Sequence, residues 1–387
     1  MPILGFGRST DPKVRGVGVR VAVVRPVIVS SLLGLAALCV AATGCTKSPD
    51  ATTTRTAGGS SLLTATTAAA QTATSSLTGG VTPTAVTTQL AVVAPTSVAP
   101  RVGSIAVAPM SKQLVSVVSR LATASDGAIV YGAGGLSASR ASSDRIISVN
   151  AATGASAVVG TLPRGVHDAA GVWAAGRLVV LGGGADSAED LIQTWVPGAA
   201  AEISGHLPEA RADLGAVADG DTIYVVGGAH GTTMNLDILA IDAHTLTTTV
   251  VGSLPHGNRY GSVAVLDHMV YLFGGELIDG VPLNEVWKID PATGSVTPLA
   301  PLPSAVSHAG AVSLRSTVLL IGGRHSAMYT NEIVSWTPTG GATVLEQSLP
   351  AAVSDPGVAV VGDTVVVVGG ERDHESVRDI EAIQVMS

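Results

Sequence analysis

The sequence predicts an all-β fold assembled from six copies of one four-stranded unit, and three observations carry that prediction. A Gly-Gly pair recurs at Gly134-Gly135, Gly182-Gly183, Gly227-Gly228, Gly274-Gly275, Gly322-Gly323 and Gly369-Gly370, in steps of 48, 45, 47, 48 and 47 residues. Leu-Pro stands 20 residues ahead of five of these pairs, at Leu162-Pro163, Leu207-Pro208, Leu254-Pro255, Leu302-Pro303 and Leu349-Pro350. Within the units, short apolar runs are joined by hairpin signals such as Asp126-Gly127 and Asp219-Gly220. A period of this length means a propeller or an array of repeats.

The fourth unit shows the elements in order. After Leu254-Pro255, the small residues Gly261 to Val265 form a first strand, and Asp267-His268 turn the chain. Met269 to Phe273 form a continuous apolar second strand ending at the double glycine. Such a run has no polar face because neighbouring sheets cover both of its sides. A polar loop follows, then an alternating third strand over Asn284 to Asp290. Pro291 to Gly294 turn the chain into a fourth strand, Ser295 to Pro298. Tyr131, Tyr224 and Tyr271 each stand three residues before a double glycine, a regularity expected of packing. The last unit has a third strand, Ile380 to Val385, and no fourth. An orphan apolar segment, Ser104 to Ala108, precedes the first unit and is expected to complete the last blade, leaving no open sheet edge.

The pattern resembles the kelch repeat: four apolar residues, a double glycine, then a Trp about twelve residues on. Trp195 and Trp287 lie 12 residues after their glycine pairs and Trp336 lies 13 after, while three units lack the Trp. Asp144, Asp190, Asp237, Glu285, Glu332 and Asp379 mark the start of the third strand in all six units. The resemblance covers residues 104–387 and implies a six-bladed β-propeller of the galactose oxidase and kelch-like superfamily.

Residues 1–44 read as a signal peptide: a basic stretch, an uncharged apolar run from Val27 to Thr43, and a Thr-Gly-Cys ending. That ending resembles a bacterial lipobox, with Cys45 as the lipidated residue and Ala42 where an aliphatic residue is more usual. An uncleaved signal anchor and an ordinary cleaved signal are the alternatives. Residues 45–100 carry that cysteine and a Thr-, Ala-, Ser- and Pro-rich spacer, too poor in large apolar groups to offset its chain entropy by burial. The expected location is the cell membrane, lipid-anchored and facing the extracytoplasmic side, with residues 101–387 as a monomeric propeller.

Composition narrows the chemistry. The full chain carries a net charge of −8, and without residues 1–44 it would carry −12, which excludes nucleic acid as an expected partner. Both cysteines, Cys39 and Cys45, precede the repeats, so the propeller offers no thiolate metal site and no cysteine nucleophile. A copper–radical oxidase of the galactose oxidase type needs a cysteine linked to a tyrosine and is excluded on the same ground. No cofactor and no metal are expected. No phosphate loop and no Gly-x-Ser-x-Gly elbow ahead of a helix are present.

The resemblance places the first strand of each blade along a central channel, with the loops leading into it crowded at one mouth. Six residues after each Leu of the Leu-Pro pairs stand Asp168, Asp213, Tyr260, His308 and Asp355, with Arg120 in the first unit and His167, Arg211 and Arg259 as neighbours. Different polar groups at one level are what a ligand site requires; turn chemistry before a strand also favours Asp. Three carboxylates and a histidine there favour a cationic or polyhydroxylated ligand, and clustered acids raise one another's pKa. Three functions fit: a tethered module binding a protein, peptide or glycan through its loops; a sugar mutarotase or epimerase, with His308, Asp213 and Arg259 at the mouth; and an envelope scaffold without a small ligand.

Overall fold

The computed structural model describes residues 104–386, and no helix occurs among them. The leader, Cys45 and the spacer lie outside the described residues. Six four-stranded antiparallel sheets form the blades of a β-propeller. Blade four has the strands Ser262–Leu266, Met269–Phe273, Val286–Asp290 and Ser295–Pro298; the second and fourth match the expected bounds, the first is shifted by one residue and the third starts two residues later.

Each second strand is sealed on both faces, as in Val179, Val180 and Leu181, which are 0%, 1% and 0% exposed. The apolar side chains sort into six clusters, one between each pair of neighbouring blades. Trp195 is buried between blades one and two, and Trp336 between blades four and five. Tyr131 packs edge-on against Trp195 at 5.3 Å and stacks on Trp173 at 5.4 Å. The regular tyrosines are therefore packing residues.

Residues Ser104–Pro109 pair antiparallel with Ile380–Met386, with Ile105 opposite Val385 and Ala108 opposite Ala382. They supply the fourth strand of blade six, so the two ends of the described chain lock the ring. Ile105 is buried there with Ile383 and Val385.

The loops after the double glycines hold more structure than a polar loop. In blades three, five and six they form two-residue ladders, Ala229–His230 with Thr233–Met234, Arg324–His325 with Met328–Tyr329, and Glu371–Arg372 with Glu375–Ser376. The spacing of apolar residues carries no trace of these hairpins, because each of their strands is only two residues long. Since the strands are antiparallel, these loops share one face with the segments that enter each first strand. That face is the mouth.

Candidate functional site

The mouth is organised by backbone before side chains. Arg120, Asp168, Asp213, Tyr260, His308 and Asp355 all have left-handed conformations, with φ of 57°, 53°, 62°, 52°, 59° and 52°. Each donates its N–H to the carbonyl of its counterpart in the preceding blade. The distances are 3.1 Å for Arg120 to Asp355, 3.2 Å for Asp168 to Arg120 and 3.0 Å for Asp213 to Asp168. The circle closes with 2.9 Å for Tyr260 to Asp213, 3.0 Å for His308 to Tyr260 and 2.9 Å for Asp355 to His308. A left-handed non-glycine residue costs about 1 kcal/mol, and a net hydrogen bond returns about as much. Glycine or asparagine would carry that backbone at lower cost, so the side chains at these positions are not explained by the turn alone.

Sequence equivalence therefore brought five residues together correctly, and Arg120 from the irregular first unit joins them. They line a cavity of about 140 Å³. Arg120 Nη1 donates to Asp168 Oδ2 at 3.0 Å and to the Tyr260 hydroxyl at 3.3 Å. His308 stacks on Tyr260 with ring centroids 3.7 Å apart, and its Nδ1 lies 2.6 Å from Asp355 Oδ1. Arg259 sits beside the ring, with Nη1 3.7 Å from Asp213 and Nη2 2.9 Å from Glu276. His167 lies 3.7 Å from Asp168 and bonds Ser142 at 2.9 Å.

A second tier was missed by the sequence reading. The residue after each double glycine bridges back to the residue preceding the ring position, as Glu276 does to Arg259, Arg324 to Ser307 and Glu371 to Ser354. Arg324 Nη2 contacts Asp355 at 3.1 Å and Glu371 at 2.8 Å. Tyr329 donates its hydroxyl to Glu371 at 3.0 Å. The signal was available: these residues share one offset from the glycine pairs, as the ring residues share one from Leu-Pro.

One expectation is corrected. Arg211 does not reach the mouth. It is 1% exposed and donates to the carbonyls of Gly227 and Asp237, capping the interior of blade three. Arg120, Arg259 and Arg324 interleave with the carboxylates at the mouth.

The ionisable groups respond unequally. Burial raises the Asp168 carboxyl to about 6 against the pull of Arg120. Burial and the neighbouring Asp168 raise Asp213 to about 7. Asp355 moves the other way: burial opposes its charge, but His308, Arg120 and Arg324 together hold it below the usual carboxylate range. Crowded acids thus raise one another only where too few cations stand between them. Burial disfavours the charged His308 ring, yet Asp355 and Glu276 outweigh it and lift the ring to about 9. Among the described residues no group of His, Cys, Asp and Glu is arranged to hold a metal ion.

Fold and mouth together define a six-bladed β-propeller whose channel is capped by a charged hydrogen-bonded ring. The Kelch motif matches residues 258–303, from the ring segment of blade four through to the next Leu-Pro. The chain is similar to mouse (Mus musculus) Kelch-like protein 35, 31% identical over 161 residues, which is 41% of this chain and 27% of that protein. It is likewise similar to the Homo sapiens Kelch-like protein 35, 29% identical over 151 residues, 38% of this chain and 24% of that protein. These matches support a kelch-repeat family, and they span about a quarter of each relative's length.

Proposed function

We propose that the chain is a tethered interaction module: the mouth-face loops recognise a protein partner, and Cys45 anchors the propeller to the extracytoplasmic side of a membrane. One observation carries the binding reading. Ile278 and Val281 on the loop of blade four and Met328 on the hairpin of blade five are 39%, 49% and 71% exposed, on adjacent blades at the rim of the ring. Exposed methionine and aliphatic groups beside a charged centre suit a protein interface. The likeness to Kelch-like proteins supports it. A glycan partner fits less well, because only 3% of residues are aromatic and few rings are free to stack on sugars.

The mutarotase reading gains little from the geometry. A general base must be free to take a proton near neutrality, and His308 is held as an imidazolium between Asp355 and Glu276.

A photoreactive residue placed at Met328 of the full chain is expected to give a discrete adduct in cells. The same residue at Asp221, on the opposite face, should give none. Equal labelling from both positions overturns the mouth-face assignment. Cys45→Ser should release the protein from the membrane; unchanged retention and unchanged mature mass overturn the anchor.

A further inference from the structure

The second tier of the mouth is lopsided. The residues after the double glycines are charged in blades four to six, Glu276, Arg324 and Glu371, and uncharged in blades one to three, Leu136, Gly184 and Ala229. The cations follow the charged half. His308 and Arg324 serve Asp355 at 2.6 and 3.1 Å, Arg324 serves Glu371 at 2.8 Å, and Arg259 serves Glu276 at 2.9 Å.

Blades two and three are left short of positive charge. Asp168 has Arg120 at 3.0 Å, an arginine that also faces Glu371 at 3.6 Å. The one cation within 4 Å of Asp213 is Arg259 at 3.7 Å, whose other amino group is on Glu276, and the Tyr260 hydroxyl is its hydrogen-bond partner. The two carboxyls are 7% and 11% exposed. They line the cavity of about 140 Å³ together with Tyr260, and in their blades the residues after the double glycines are the small Gly184 and Ala229, which bridge to His167 and Ala212.

We propose that this cavity takes a primary ammonium group, received by the Asp168 and Asp213 carboxylates and the Tyr260 hydroxyl. An ammonium is a compact charge with three donors, matching three acceptors. A water occupies about 30 Å³, so the cavity holds an alkylammonium tip of a few heavy atoms. Without a cation the carboxyl pair retains a proton, consistent with its raised titration range. Binding then exchanges that proton for the ammonium and tightens as pH rises. The groups that set this titration are Asp168, Tyr260, Arg259 and Arg120 around Asp213, and Arg120, Asp355, His308 and His167 around Asp168.

The ammonium has two possible sources, a free amine or a lysine side chain of the partner. This proposal extends the interaction reading but stands on the cavity alone. Calorimetric titration of the full chain with n-butylammonium, with 1-butanol, and with Nα-acetyl-lysine methylamide tests it. Saturable binding of the ammonium probes, absent for butanol, is expected. It should be about ten-fold tighter at pH 8 than at pH 6, and about ten-fold weaker in Asp213→Asn. Tighter binding of the lysine derivative assigns the site to a protein partner, and tighter binding of butylammonium assigns it to a free amine. No saturation by about 10 mM, or equal binding of butanol, overturns the proposal. Either result is independent of the adduct at Met328. Should Asp213→Asn fail to fold, the comparison of butylammonium with butanol on the unaltered chain still decides.

Discussion

His308 Nδ1 lies 2.6 Å from Asp355 Oδ1, where each side chain is at most 6% exposed. The shift makes this pair a pH-dependent contributor to stability. The folded pKa of His308, about 9, lies above its ordinary value of 6.5. Its contribution is therefore complete below pH 6.5 and lost as pH rises through 9, on the order of 3 kcal/mol in all. Urea denaturation between pH 6.5 and 9.5 should show that decline, and His308→Gln should flatten it. Equal slopes for the two proteins would show that the pair is not coupled to folding. The depressed Asp355 acts at the other end: its contribution is present above pH 3.8 and disappears as pH falls through its folded value.

Asp213 behaves oppositely to Asp355 although both are ring carboxyls. Its folded pKa of about 7 lies above the ordinary 3.8, so the folded state is favoured below pH 3.8 and loses that advantage as pH rises through 7. Asp213→Asn removes the penalty of a buried charge and is expected to be more stable than the unaltered chain at pH 8, by about 1–2 kcal/mol. Melting temperatures at pH 4 and pH 8 check the sign. A variant less stable at pH 8 would mean that the carboxylate is better paired than its contacts indicate.

The closing strand can be removed. Deleting residues 101–110 takes away Ser104–Pro109, bares the length of Ile380–Met386 and uncovers the cluster around Ile383. A larger fall in melting temperature is expected than from deleting residues 46–100. The smaller change Ile105→Ala should cost about 2–4 kcal/mol. Equal melting temperatures for the two deletions would refute closure by this strand.

The double glycines differ from turn glycines in what surrounds them. At Gly274, with φ of +56°, an added Cβ would collide with the carbonyl oxygen of Val306 in the loop entering blade five. At Gly176, with φ of +72°, it would meet nothing within 4 Å. Gly176→Ala should cost about 1 kcal/mol, the conformational term alone. Gly274→Ala should cost at least twice that, because backbone must move. Comparable denaturation midpoints would remove the close-approach explanation for the repeat signature.

Much of this architecture was legible in the residues. Six glycine pairs at intervals of 45 to 48 residues determine six units, because each marks a blade contact where backbone approaches backbone and no side chain fits. Uninterrupted valine and leucine runs such as Val365 to Val368 determine central strands, because only a strand covered on both faces tolerates them. The missing fourth strand of the last unit and the orphan Ser104 to Ala108 determine how the ring closes. Counting from Leu-Pro even placed Asp168, Asp213, Tyr260, His308 and Asp355 at one level.

Three things were decided by tertiary structure. The left-handed backbone at all six ring positions follows from a circle of hydrogen bonds between residues 45 to 48 apart within the series and closed between its ends; no local preference asks Tyr, Arg or His to adopt it. Arg211 differs from Arg259 by pointing inward, and one residue of register relative to the ring is enough to turn a guanidinium from the mouth to buried carbonyls. The protonation of the carboxyls depends on which cations lie within 3 to 4 Å of each, and those cations come from other blades. Chain spacing determines the level at which a charge stands, whereas the distances across the channel determine whether that charge is neutralised, shared with a proton or left for a ligand.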